Sequence, residues 1–282
     1  MHLNTTETET KPANANQALW EKGDFTEIAA TMRESGEALV RGLGVSPSMR
    51  VLDLGCGDGT TALPLAELGA EVIGVDIARN LVAAGNRRAA AAGLARLRFE
   101  EGDACDLKGI PDQAFDLSLT VFGAMFAPKP FDVARELVRV TRKGGRIVMG
   151  NWIAGDPSFV SQVLKISAAY TPPQPEGFIS PVTWGVESHI LERFGKAGVS
   201  ADRIAMSRET YRFISSGKTP AQFIDTFRRF YGPTMNAFDA ARKNGREADL
   251  HRELVALAES RNENRTGGLD IPATYMRVTV SL

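Results

Sequence analysis

The chain has 282 residues, 43% hydrophobic and 24% charged, the make-up of a soluble globular protein with ample length to bury a core. With 33 Lys and Arg against 34 Asp and Glu, the net charge is −1, which speaks against nucleic acid or an anionic membrane as partner, since both select a basic excess. Two cysteines cannot make a disulfide framework, and His2, His189 and His251 leave little for a metal site, so no metal and a reducing, cytoplasmic setting are expected.

The first residues carry neither a basic stretch nor an apolar one, so no signal peptide is read there. No run of apolar residues reaches the eighteen or so that a membrane span needs. Residues 1–18 are polar and rich in Thr and Asn, and are expected to form a disordered tail. Order is expected to begin near Trp20 and to continue as one domain over 19–282.

Ile28, Met32, Leu39 and Leu43 recur at helical spacing and predict one helix over 26–43, ended by Gly44 and Pro47. A short apolar strand, Arg50 to Leu54, then opens directly into a glycine-rich turn. Further strands are expected at 71–75, 96–100, 115–121 and 146–150, with helices at about 79–92 and 131–141 between them. Short apolar strands separated by helices mean right-handed crossovers and a doubly wound parallel α/β sheet.

Past Trp152 the rhythm changes. Pro and Gly crowd residues 155–185, which predicts a loop with one helix near 158–169, and a helix follows at about 186–197. Residues 208–214 and 274–282 read as strands, the second with Met276, Val278, Val280 and Leu282 alternating with polar residues. Between them Thr219, Pro220 and Gln222 make a capping-box helix start, and Phe223, Phe227 and Phe230 share one helical face. Two more helices are expected from Pro233 to Gly245 and around Leu250, Leu254 and Leu257. The segment 218–270 is read as a helical lid, with a dimer contact as its alternative.

The chemistry is carried by Asp53-Leu-Gly55-Cys56-Gly57-Asp58-Gly59, at the end of the first strand. Glycines there let the backbone turn sharply and let a ligand approach without a Cβ in the way. The spacing is not the G-x-x-G ending of nicotinamide and flavin sites, and Asp53 and Asp58 suit a cationic ligand better than a pyrophosphate. Asp76 ends the second strand, where a carboxylate can accept ribose hydroxyls, and Asp103 follows the third in Gly102-Asp103-Ala104.

With these residues in this order, the chain resembles the class I S-adenosylmethionine-dependent methyltransferases, in their ubiquinone/menaquinone-biosynthesis-type small-molecule group. The likeness spans about residues 20–215 and the last strand. It implies a Rossmann-like seven-stranded sheet whose last strand is antiparallel, here with an N-terminal helical arm and a helical insertion before that strand. It implies S-adenosylmethionine as cofactor, with Asp53, Gly55, Cys56, Gly57 and Gly59 about the methionine moiety, Asp76 on the ribose and Asp103 and Ala104 on the adenine. Ile77 would pack on the adenine face and Thr120 would approach the amino-acid end. The chain departs from the family in the 218–270 insertion. It also lacks Asn/Asp-Pro-Pro-Tyr after the fourth strand, which weakens methylation of a nucleobase or glutamine amide.

Phe122, Met125 and Phe126 follow the fourth strand and Trp152 leaves the fifth, so these residues, with Trp20, Phe25 and Trp184, are the expected lining for an apolar or aromatic acceptor. The expected activity is methyl transfer to a small molecule, with His189 as the candidate base and Asp24, Tyr211 and Tyr231 beside it. The alternatives are a catalytically silent cofactor-binding scaffold and a nicotinamide-dependent oxidoreductase. A homodimer is a further expectation.

Overall fold

A computed structural model describes residues 14–282. Most of the tail expected over 1–18 lies outside the described residues, but a helix α1 already spans Ala15–Glu21, upstream of Trp20, with the Asn14 side chain accepting from the Asn16 and Gln17 amides. The remaining N-terminal helices are α2 (Thr26–Ala29) and α3 (Arg33–Arg41). The sequence predicts one helix here. It is broken because the Thr31 carbonyl leaves the helical ladder and accepts the Ile214 amide at 2.7 Å, a tertiary bond that periodicity does not show.

The alternation that follows is β1 (Arg50–Leu54), α4 (Ala62–Glu67), β2 (Glu71–Asp76), α5 (Arg79–Ala91), β3 (Leu97–Glu101), β4 (Phe115–Val121), α6 (Pro130–Val140) and β5 (Thr141–Trp152). Next come α7 (Phe159–Tyr170), α8 (Glu187–Lys196), β6 (Ile204–Ser215), α9 (Pro220–Phe230), α10 (Gly232–Lys243), α11 (Glu247–Arg261) and β7 (Leu269–Ser281). Local chemistry accounts for many of these bounds. In α6, Pro130 occupies the first turn, and Val133, Ala134, Leu137 and Val140 make the buried stripe of an amphipathic helix. The capping box of α9 is formed by Thr219 and Gln222 as expected.

The strands form one sheet in the order β3-β2-β1-β4-β5-β7-β6, parallel through β5, with β7 antiparallel to both of its neighbours. Three strands run longer than expected. The polar start of β5, Arg142 to Gly145, reads as a turn but is held as strand beside β4 and the chain's end. The first half of β7 contains Pro272, which pairs there with β6 alone, since β5 reaches only as far as Tyr275. A residue without an amide hydrogen is tolerated on such an edge.

Strand order reverses between β1 and β4, and in open α/β sheets ligands bind at the carboxyl ends of the strands beside such a reversal. No helix among the described residues is long and apolar enough to cross a membrane.

Candidate functional site

A cleft whose empty space, mouth included, is about 1140 Å3 opens at those carboxyl ends. Its floor comes from the ends of β1, β2, β4 and β5 and from the turn after β3. Its walls come from the N-terminal arm, from β6 and from α9.

The glycine-rich turn forms part of the lining. Gly55, at φ +68°, lies so close to the loop after β4 that a Cβ would come within 2.7 Å of the Gly123 Cα. Gly57, at φ +56°, has no atom within 4 Å of where its Cβ would stand, so its exposed face belongs to the cleft. Gly59 does different work. Its Cβ would collide with Leu63 and Phe99 at 2.5 and 2.6 Å, and it does not line the cleft, so the expectation that it touches cofactor gives way to a packing role. Cys56 lines the cleft with its thiol pushed well up by burial, against Gly74.

Three carboxylates gather near this turn. Asp76 accepts the Gly57 amide at 2.8 Å and the Ala78 amide at 2.9 Å, which fixes it at the mouth of β2. Burial raises its carboxyl above the usual range, and the backbone donors pull it back. Asp53 lies beneath the cleft rather than in its lining. It accepts the Thr61 hydroxyl at 2.6 Å on one oxygen and has no partner on the other. Burial, with the charge of Asp76 added, lifts it to about 7. Asp103 lines the cleft and accepts the Cys105 amide, next to Ala104. Ile77 lines it as well. The Asp58 carboxylate does not serve as a free anion for a ligand, because Arg33 and Arg88 neutralise it at 2.9 and 3.3 Å.

Much of the remaining lining is aromatic. Phe122, at φ +60°, stacks on Trp152 with ring centroids 3.7 Å apart and meets Tyr211 edge-on at 5.0 Å. Trp20 and Phe25 of the arm, Phe126 of the β4 loop and Tyr231 at the end of α9 form a second ring cluster, with Trp20 to Phe126 at 5.1 Å and Trp20 to Tyr231 at 6.1 Å. All of these residues line the cleft, together with Phe213 and Phe227.

Several expected residues fall elsewhere. Thr120 is buried, and its hydroxyl accepts the Ala124 amide, so it shapes the β4 loop instead of lining the cleft. Met125 is buried and also outside the lining, because its short 3-10 turn points it into the core. Trp184 packs under the Arg193 guanidinium at 4.5 Å, away from the cleft. His189, in the first turn of α8, is not a lining residue either.

Met32, Tyr211, Phe213, Phe227 and Tyr231 line the cleft from three separate segments. The signals that point to them are the β6 alternation of Tyr211 with Phe213 and the aromatic face of α9. Of the insertion, Phe227 and Tyr231 reach the cleft, whereas α10 and α11 pack on α7.

Among the described lining residues there is no Lys, Arg or His. The site therefore lacks cations for a pyrophosphate. It has instead an open glycine face, two backbone-anchored carboxylates and the arginine-paired Asp58 in the lining, and a half-satisfied carboxylate beneath, an arrangement that fits a ligand bearing hydroxyls, an ammonium and a sulfonium.

A methyltransferase-domain family model matches residues 52–149. An uncharacterized protein of Mycobacterium tuberculosis is 34% identical over 249 residues, covering 87% of this chain and 88% of its own. A demethylmenaquinone methyltransferase of Paenarthrobacter aurescens is 27% identical, covering 64% of this chain and 70% of its own. The solved structure of a Haemonchus contortus phosphoethanolamine N-methyltransferase 2 shares the fold, with TM-score 0.59 and 16% identity over 95% of this chain and 60% of that one. With this sheet order and this turn, the chain belongs to the class I S-adenosylmethionine-dependent methyltransferases.

Proposed function

We propose that the chain methylates a small, largely apolar or aromatic molecule by in-line transfer from S-adenosylmethionine. The observation that carries this reading is one cleft lined both by a carboxylate-bearing glycine turn and by a set of uncharged aromatic rings. Gly55 to Gly57 would hold the methionine moiety, Asp76 the ribose, and Asp103 with Ala104 the adenine. Bound there, the cofactor supplies a methyl group activated on a positive sulfur.

What the protein adds is alignment and the exclusion of water. The rings of Trp20, Phe25, Phe122 and Trp152 give an acceptor a dry, flat surface, and their π faces attract positive charge. Among the described lining residues there is no Lys or His, the carboxylates of Asp58, Asp76 and Asp103 are engaged by arginines or backbone amides, and the Tyr211 hydroxyl is committed to the Met32 carbonyl at 2.9 Å. Such a lining suits an acceptor atom that is already nucleophilic, such as an ionised phenol, an electron-rich ring carbon or a free amine. The Paenarthrobacter relative's name, which implies a quinone-type ring as acceptor, supports a ring-shaped substrate.

Calorimetry with S-adenosylmethionine, S-adenosylhomocysteine and NAD tests the cofactor, and a radiolabelled-methyl screen of small aromatic molecules tests the acceptor. Binding of the first two but not NAD, with label in a small ring compound, is the expected result. Methylation of RNA or protein lysine with no small-molecule turnover would overturn the reading.

A further inference from the structure

We propose that the buried hydroxyl of Tyr231 is the hydrogen-bonding anchor for the acceptor, so that the chain selects rings carrying a hydroxyl over the bare hydrocarbon. This rests on the apolar-acceptor reading above. The chain has four tyrosines, and three have their hydroxyls engaged within the fold. Tyr170 donates to Glu253 at 2.6 Å, Tyr211 to the Met32 carbonyl at 2.9 Å and Tyr275 to Glu209 at 2.7 Å. Tyr231 is 5% exposed, and its hydroxyl has no partner. Among the described residues, it is the one member of the aromatic lining with a buried polar side-chain atom left unpaired.

A buried hydroxyl without a partner is costly, so a fold keeps one where a ligand completes it. The surroundings of Tyr231 give the fold no means of doing so. Its ring is packed among Trp20, Phe25, Phe126 and Phe227, with centroids between 5.1 and 6.4 Å. Its position is fixed as well. The Tyr231 amide donates to the Phe227 carbonyl, and the next residue, Gly232, lies so close to Leu19 of the arm that a Cβ would come within 2.8 Å. Tyr231 lines the cleft where arm and insertion meet, so a group that enters between them is what would complete its hydroxyl. Burial holds its proton well above the usual phenol range, so Tyr231 donates a hydrogen bond and does not act as a base.

The test uses the full chain saturated with S-adenosylhomocysteine, with 1-naphthol and naphthalene as matched probes titrated by calorimetry at pH 7. The wild type is expected to prefer 1-naphthol. Tyr231→Phe keeps the ring and should weaken 1-naphthol about three- to tenfold, the worth of one hydrogen bond, with naphthalene and S-adenosylhomocysteine binding unchanged and the melting temperature of the acceptor-free protein raised by loss of the unpaired hydroxyl. Tyr170→Phe, remote from the cleft, should leave the preference intact. A preference for 1-naphthol that persists in Tyr231→Phe, or that is absent from the wild type while both probes bind, overturns the Tyr231 assignment alone. Failure of both probes to bind a wild type that does bind S-adenosylhomocysteine overturns the aromatic-acceptor reading, and this proposal with it.

Discussion

Gly57 and Gly55 sit two residues apart in the same turn, both at positive φ, yet replacing each with alanine should do opposite things. At Gly57 a Cβ meets nothing within 4 Å, so the cost to the fold of Gly57→Ala is the backbone strain of an L-residue in the left-handed region, about 1–2 kcal/mol. In a chain of this size that lowers Tm by about 2–8 °C. The new methyl group projects into the cleft at the point where the cofactor's methionine moiety is placed. Overpacking of that order costs about 1–3 kcal/mol, or roughly 5- to 150-fold in affinity. At Gly55 the Cβ would press backbone against backbone at the Gly123 Cα, 2.7 Å away, where neither side can give. Gly55→Ala should therefore lose considerably more stability than Gly57→Ala. Thermal melts report the first quantity, and calorimetry with S-adenosylhomocysteine the second. Unimpaired cofactor binding by a folded Gly57→Ala would refute the assignment of this turn, and equal losses of Tm in the two variants would refute the claim that Gly57 faces open space.

Asp76→Ala should weaken S-adenosylhomocysteine by about 1.5–3 kcal/mol, the worth of a charge-assisted hydrogen-bond pair, as read by calorimetry. Some Tm should go with it, because the Gly57 and Ala78 amides lose their acceptor. Asp53 titrates near 7 in the fold and near 4 when unfolded, so the folded state holds its proton more firmly and stability falls as pH rises through that window. Asp53→Asn should accordingly be more stable than the wild type at pH 8, with the difference vanishing toward pH 4; denaturant melts showing a constant difference would contradict the raised pKa. In Gly23→Ala the new Cβ would stand 2.8 Å from the Phe230 Cα and 3.1 Å from the Met235 sulfur, prising the arm from the insertion. Its acceptor kcat/KM, measured with a compound from the radiolabel screen, should fall more than its cofactor affinity.

Strand bounds were legible in the sequence as far as β4, because β1, β2 and β4 are short buried runs bounded by turn residues, and the edge strand β3 alternates buried with exposed residues. The same holds for the carboxylates at the strand ends. Asp76 and Asp103 follow their strands at once, so knowing the strand is enough to know the end of the sheet they occupy. The capping box of α9 and the buried stripe of α6 are local too, and local chemistry is what a sequence states directly.

What the sequence could not state is how residues far apart share one surface. Gly59 and Gly57 look alike in the motif, and only the neighbouring Phe99 and Leu63 decide that one packs while the other faces the cleft. Thr120, within β4, and Met125, in the turn after it, lie beside lining residues, but both are buried away from the cleft. The aromatic lining joins Trp20, Phe122, Trp152, Tyr211 and Tyr231, which span more than 200 positions of the chain. Hydrophobic patterning shows that such rings will be buried, since removal from water is non-directional. Which rings meet, and around what space, is decided by the crossing of arm, sheet and insertion, because close packing depends on shape in three dimensions.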